Sequence, residues 1–316
     1  MIVLEKVTKR YGTVEALKEV SFRIPRGGIT GLLGRNGAGK TTALNLMTGY
    51  FPPTAGRILV GGKDMRTEGR ECKRMIGYLP EKPPLYDEMT VTEYLRFVCE
   101  LREVHANSIK AHLDEITGLC GLGEVRHRIL GHLSKGYRQR AGIAQALCGS
   151  PDALILDEPT VGLDPKQTAE MRALIRELGK ERTVIFSSHI LSEVQQLCAR
   201  AVILNEGRMI RSLDLTAPAG ETIRLRLRAA GPRSRVIPAL RELNCVQAAE
   251  EIPDGETTEL ILTCLRNDGQ GAAEDQIFRV CAGINAPIRM IREERETLEE
   301  IFLRETEEFS AAVETA

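Results

Sequence analysis

Gly34-Arg35-Asn36-Gly37-Ala38-Gly39-Lys40-Thr41 fits the pattern G-x-x-x-x-G-K-[ST] in full. Each position has a chemical reason. Glycines let the backbone turn tightly and bring its N–H groups onto phosphate oxygens. Lys40 can reach the β- and γ-phosphates of a nucleoside triphosphate, and the Thr41 hydroxyl suits Mg²⁺. Thr42 follows directly and is grouped with the same cradle. Far downstream, Ala153-Leu154-Ile155-Leu156-Asp157-Glu158 is an apolar run that ends in two carboxylates. Asp157 can hold Mg²⁺, directly or through water, and Glu158 can orient an attacking water or accept its proton. Acidic pairs at strand ends are common. Joined to the phosphate cradle, this one points to attack of water on a γ-phosphate.

Such groups need elements that converge. Ile29-Thr30-Gly31-Leu32-Leu33 reads as an apolar strand running into the cradle, and 41–48 reads as the helix that follows. The start of that helix adds partial positive charge where phosphate would sit. Thr183-Val184-Ile185-Phe186 is a further short apolar run, and with the others it suits the doubly covered strands of an α/β sheet. The block from about 90 to 150 differs: 92–104 and 109–119 carry helical patterns with no strand between them, which predicts a helical insertion.

A Pro/Gly-containing segment, Leu215-Thr216-Ala217-Pro218-Ala219-Gly220, predicts a boundary. The expected domains are 1–215 and 221–316. Past the boundary, Ile223-Arg224-Leu225-Arg226-Leu227-Arg228 alternates with period two, as a half-exposed strand does. A helix over 236–243, strands over 246–252 and 259–265, a helix over 273–282 and a strand over 288–292 complete a β-α-β-β-α-β order. That order suggests a ferredoxin-like α+β domain. A last helix sets Leu298, Ile301 and Phe302 on one face, a stripe better suited to domain packing than to a partner.

The bulk numbers narrow the class. At 316 residues the chain suits two domains. Hydrophobic residues make up 42% and charged residues 28%, enough for ordinary cores. A net charge of −1 offers no general attraction to nucleic acid or anionic lipid, and no nucleic-acid partner is expected. No apolar run approaches the roughly 18 residues a membrane span needs. The start, Met1-Ile2-Val3-Leu4-Glu5-Lys6-Val7, reads as a strand, not a signal peptide. Eight scattered cysteines, with no Cys-x-x-Cys pair, read as reduced thiols of a cytosolic protein.

Taken together, these motifs resemble the nucleotide-binding domain of ABC ATPases from the start of the chain to near residue 210. Tyr11 stands where that family stacks an aromatic ring on adenine. Leu133-Ser134-Lys135-Gly136-Tyr137 stands at the family's signature, usually LSGGQ; Ser134 and Gly136 are kept, while Lys135 and Tyr137 depart. The resemblance implies that this segment opens a helix facing the γ-phosphate held by another subunit. Gly162-Leu163-Asp164 matches the D-loop at the dimer interface, and Ser188-His189 matches the strand end whose histidine bonds the γ-phosphate. In Gly77-Tyr78-Leu79-Pro80-Glu81 a glutamate, Glu81, replaces the usual glutamine. It can still offer oxygen to Mg²⁺, and it adds negative charge near the phosphates.

The resemblance therefore implies an ATPase using ATP and Mg²⁺, closing head to tail with a second nucleotide-binding subunit. It also implies a separate transmembrane permease docked on 82–91, at the cytoplasmic face of the membrane. The tail, Thr297-Leu298-Glu299-Glu300-Ile301-Phe302, looks like that of ABC-2-type exporter subunits. Two rivals remain at this stage: a soluble ABC ATPase of translation or DNA repair, and a P-loop kinase acting on a small molecule. The single cassette with no room for a coiled coil opposes the first. The signature and the strand-end histidine oppose the second.

Overall fold

The computed structural model describes residues 1–216, 222–252, 258–267, 269, 271–294 and 298–305. The chain forms two compact units, Met1–Thr216 together with Phe302–Ala316, and Ala217–Ile301. Residues 302–305 thus group with the first unit. Residues 217–220 of the Pro/Gly segment lie outside the described residues.

The first unit opens with β1 (Ile2–Tyr11), β2 (Val14–Ile24), β3 (Gly28–Leu33), α1 (Lys40–Met47), β4 (Ala55–Val60) and β5 (Lys63–Asp64). It continues with α2 (Gly69–Arg74), β6 (Ile76–Leu79), α3 (Val91–Leu101), α4 (Ala106–Leu119) and α5 (Lys135–Leu147). Then come β7 (Ala153–Asp157), α6 (Pro165–Glu181), β8 (Thr183–Ser188), α7 (Leu191–Leu197), β9 (Arg200–Asn205) and β10 (Arg208–Asp214). A six-stranded sheet runs β10-β9-β3-β8-β7-β6, and a four-stranded sheet runs β2-β1-β4-β5. In the larger sheet the pairs β3–β8, β7–β8, β6–β7 and β3–β9 are parallel. The C-terminal ends of β3, β6, β7 and β8 therefore lie along one edge, where open α/β sheets collect ligands.

Every residue of β7 and β8 is buried, as expected of strands covered on both faces. One core joins both sheets to α1: Ile2, Leu4 and Ile58 meet Leu44, Met47, Ile155 and Ile185. That packing seats the helix behind the phosphate cradle on two sheets at once.

The insertion between β6 and β7 is helical. Thr90 caps α3 in a capping box: its hydroxyl accepts from the Glu93 amide at 3.3 Å, and its own amide donates to the Glu93 carboxylate at 2.8 Å. The helix buries Val91, Tyr94, Leu95 and Cys99 on one face. It stops at Leu101, short of the expected 104, because Glu103 turns left-handed at φ +58°. Arg102 meanwhile donates to the carbonyls of Lys73 and Ile76. Helix α5 presses its backbone onto β6, and a β-carbon at Gly77 would fall 1.9 Å from the Ala146 carbonyl oxygen. Only glycine fits there.

The second unit contains β11 (Thr222–Ala229), α8 (Arg233–Arg241), β12 (Val246–Ile252), β13 (Thr258–Leu265), α9 (Ala273–Gly283) and β14 (Ile288–Glu293). Its antiparallel sheet has the order β12-β13-β11-β14. Ile223, Leu225, Leu227 and Ala229 alternate into a core completed by Leu240, Leu260, Leu262 and Ile277. The α/β class with a helical insertion, followed by a β-α-β-β-α-β unit, is the architecture found. Residues 298–305 are helical, with Leu298 and Phe302 buried and Thr297 outside the described residues.

Candidate active site

The cradle joins β3 to α1. Gly39 precedes the helix at φ +99°, and a β-carbon there would meet the Ala16 carbonyl oxygen at 2.8 Å. The position accepts glycine alone. It caps α1 without a side chain, so first-turn amides are left for a ligand's oxygens. The Ala38 amide donates to the Arg35 carbonyl at 3.1 Å, closing the loop over Asn36 and Gly37. Lys40 is 7% exposed, and its ammonium donates to the Gly34 carbonyl at 2.7 Å. Burial lowers the lysine's pKa, against the opposing pull of Glu158 and Asp157. The Glu158 carboxylate lies 4.0 Å from its Nζ.

Asp157 ends β7 and is 2% exposed. Ser187, its register partner on β8, donates to it at 2.6 Å. Burial raises the Asp157 pKa, hydrogen bonds from Ser187 and Thr41 pull it back, and the Glu81 charge pushes it up again. Thr41 thus stands beside Asp157, and the charge of exposed Glu81 is felt there.

Glu158 follows in the left-handed region at φ +49°, a strained conformation for a residue with a side chain. Its amide donates to the Ser187 hydroxyl at 2.9 Å. Its carboxylate meets His189 Nδ1 at 2.8 Å. Burial raises the Glu158 pKa, while His189 and then Lys40 lower it. Lys40, Asp157, Glu158 and His189 accordingly form one connected group, a carboxylate base flanked by two cations or donors. That arrangement can handle an attacking water beside a phosphate.

Tyr11 ends β1 with 43% of its surface exposed. Phe51 meets its ring edge-on at 6.1 Å between centroids, and Lys9 holds its ammonium 5.1 Å from the same ring. Ser134 caps α5, its hydroxyl accepting from the Tyr137 amide at 3.5 Å. Lys135 lays its ammonium against Gly162, 2.1 Å from where a β-carbon would stand. Asp164 caps α6, accepting from the Gln167 amide at 2.8 Å. Ser134, Gly136 and Asp164 line one cleft of about 300 Å³ with Arg140, Gln167 and Glu170, and no cradle residue lines it. The predicted residues therefore fall into two groups: a phosphate group at the sheet edge and a signature group at the start of α5.

Sequence reasoning passed over Ser187, which donates to the Asp157 carboxylate and accepts from the Glu158 amide, and Glu193, which accepts from Thr160 and Ser188 at 2.8 and 3.1 Å. Glu193 stands four residues after His189, on the first turn of α7, and nothing in that spacing announces its partners. The contact between Arg138 on α5 and Asp87, at 2.6 Å, was equally silent. Asp87 belongs to the stretch 82–91, and the adjoining Tyr86 is 52% exposed while leaning on Tyr94 and Phe97.

Residues 17–161 match the family model described as ABC transporter. The bacitracin transport ATP-binding protein BcrA of Bacillus licheniformis is 40% identical over 209 residues, covering 66% of this chain and 67% of that protein. NatA, an ABC transporter ATP-binding protein of Bacillus subtilis, is 38% identical, covering 66% of this chain and 88% of its own. The ABC transporter ATP-binding protein YxlF of the same organism is 34% identical over 275 residues, 84% of this chain and 92% of its own. The structure of cbiO1 from Clostridium perfringens aligns with a TM-score of 0.63 at 28% identity, over 68% of this chain and 88% of that one. By these likenesses, read with the edge-of-sheet site, the chain belongs to the ABC transporter family, as one of its ATP-binding, ATP-hydrolysing subunits.

Proposed function

We propose that this subunit drives an exporter, working as a pair of cassettes beneath a separate transmembrane permease. One observation carries the chemical half: Lys40, Asp157, Glu158 and His189 meet at the edge where β3, β7 and β8 end. Lys40 stabilises charge on the γ-phosphate, Glu158 orients the water and takes its proton, and His189 steadies the Glu158 carboxylate. The cradle from Gly34 through Thr42, with Arg35, Asn36, Gly37, Ala38 and Gly39, wraps the phosphates, and Tyr11 stacks on the base. Thr41, Asp157 and Glu81 make an all-oxygen set suited to Mg²⁺, and burial of Asp157 favours a cation beside it. Bound there, the ion would neutralise phosphate charge.

The signature group supports the pairing. Ser134, Lys135 and Gly136 open a helix with a serine cap and share a cleft with Asp164, as a surface for another subunit's nucleotide would. Two relatives are named for bacitracin transport and for linearmycin resistance, and export of such compounds suits both names. Among the described residues no helix is long and apolar enough to cross a membrane, so a separate permease would supply the path at the cytoplasmic face. A soluble role in translation or repair is not favoured by these relatives.

Two variants test the reading. Glu158→Gln should keep ATP binding, lose most hydrolysis, and accumulate an ATP-dependent dimer on size-exclusion chromatography. Adding Ser134→Arg should abolish that dimer while ATP affinity holds. Near-normal turnover of Glu158→Gln, or a dimer that survives Ser134→Arg, would defeat it.

A further inference from the structure

Glu193 lies on the first turn of α7 and is 4% exposed. A carboxylate so deeply buried is costly unless its oxygens are satisfied. Here one oxygen, Oε2, accepts from two hydroxyls: Thr160 Oγ1 at 2.8 Å and Ser188 Oγ at 3.1 Å. The two donors come from different segments. Thr160 sits just after Glu158, in the turn that leads to Gly162 and Asp164, where the Leu163 amide bonds the Thr160 carbonyl at 3.2 Å. Ser188 ends β8 immediately before His189, and its hydroxyl also accepts from the Ile190 amide at 3.0 Å, spanning the histidine.

We infer that Glu193 is a positioning residue for hydrolysis: its carboxylate clamps the Thr160 turn to the Ser188 strand end and so sets His189 against Glu158. The inference rests on the ATPase reading above. Glu193 bonds Thr160 and Ser188 and not Glu158 or Lys40, so it acts through its neighbours. Both arms it holds border Glu158, one through the chain and one through the 2.8 Å contact with His189. A movement of the Gly162–Asp164 segment would be carried to the histidine through a single buried oxygen. Charged hydrogen bonds of this kind are among the stronger ones, so the link is stiff.

The test compares wild type, Glu193→Ala, Glu193→Gln, Thr160→Val and Ser188→Ala in steady-state ATP hydrolysis, with ATP affinity measured separately. Glu193→Ala should lower kcat about tenfold, on the scale of one lost charged hydrogen bond, with KM for ATP within about twofold. Glu193→Gln, which keeps an acceptor oxygen, should recover most of kcat. Thr160→Val preserves shape and removes only a donor, so it reports even where Glu193→Ala folds poorly. Its effect should be much smaller in the Glu193→Ala background, since both break one clamp. Unchanged kcat in Thr160→Val, or independent effects in the double variant, would overturn the clamp. Absence of ATP hydrolysis in the wild type would instead overturn the ATPase reading and leave the clamp's geometry untouched.

Discussion

His189 Nδ1 and the Glu158 carboxylate meet at 2.8 Å across the ends of two neighbouring parallel strands, β8 and β7. The contact works on acidity as well as position. Burial raises the Glu158 pKa, and His189 is the largest influence opposing that rise.

Removing the imidazole should therefore raise the Glu158 pKa further. Glu158 must be ionised to take a proton, so activity is lost as pH falls through its pKa. The acid limb of kcat/KM, which reports the free enzyme, should move to higher pH in His189→Ala. A pH profile of the residual hydrolysis checks this. An acid limb at an unchanged or lower pH would count against the pairing.

Glu158 holds φ +49°, where side chains are strained and glycine is at ease. Glu158→Gly should therefore be more stable than Glu158→Ala by about 1 kcal/mol, although both lose hydrolysis. Paired thermal or urea melts decide it; equal stabilities would mean the loop relaxes in both.

Tyr11 is set by Phe51 and Lys9 with much of its ring open. If the ring stacks on the base, Tyr11→Ala should weaken ATP binding about tenfold, a usual scale for one base–aromatic stack. Binding of inorganic triphosphate, which has no base, should barely change. Calorimetric titration with both ligands separates the two, and equal losses would remove Tyr11 from the base site.

Tyr86 shows 52% of its surface while touching Tyr94 and Phe97. Tyr86→Asp should weaken recovery of a multi-span membrane protein from detergent-solubilised native membranes and leave ATP binding intact. A large drop in the melting temperature of the isolated variant would show that the ring serves only the insertion's packing.

The parts of this molecule that local chemistry dictates were readable. Ile223–Arg228 lies in strand β11 with the burial alternation expected of it, and the apolar run before Asp157 is the buried β7. What escaped depends on partners far apart in the chain. Ser187 matters because parallel register sets it beside Asp157, and no pattern within 183–188 announces that neighbour. Glu193 looks like one more polar residue on a short helix until Thr160 arrives from another segment. The left-handed turn at Glu158 brings its amide to the Ser187 hydroxyl, and nothing in Asp157-Glu158-Pro159 announces it. The separate sheet of β2, β1, β4 and β5 is a matter of long-range pairing in the same way.

At Gly77 the Ala146 carbonyl approaches so closely that no side chain cushions β6 from α5 at that point. Packed backbones of this kind resist sliding, because any shear drives carbonyl oxygen into the facing strand. If α5 moves, this contact favours a swing about the helix's far end over a slide along the strand. Ser134, at the opposite end of the thirteen-residue helix, sits at the tip of the arm, and a rotation of a few degrees there sweeps an ångström or so. Arg138, gripping Asp87 close to that tip, is where a push would be applied with the greatest leverage. Any side chain at Gly77 would drive α5 off the strand, and so would displace Ser134 without altering the phosphate cradle.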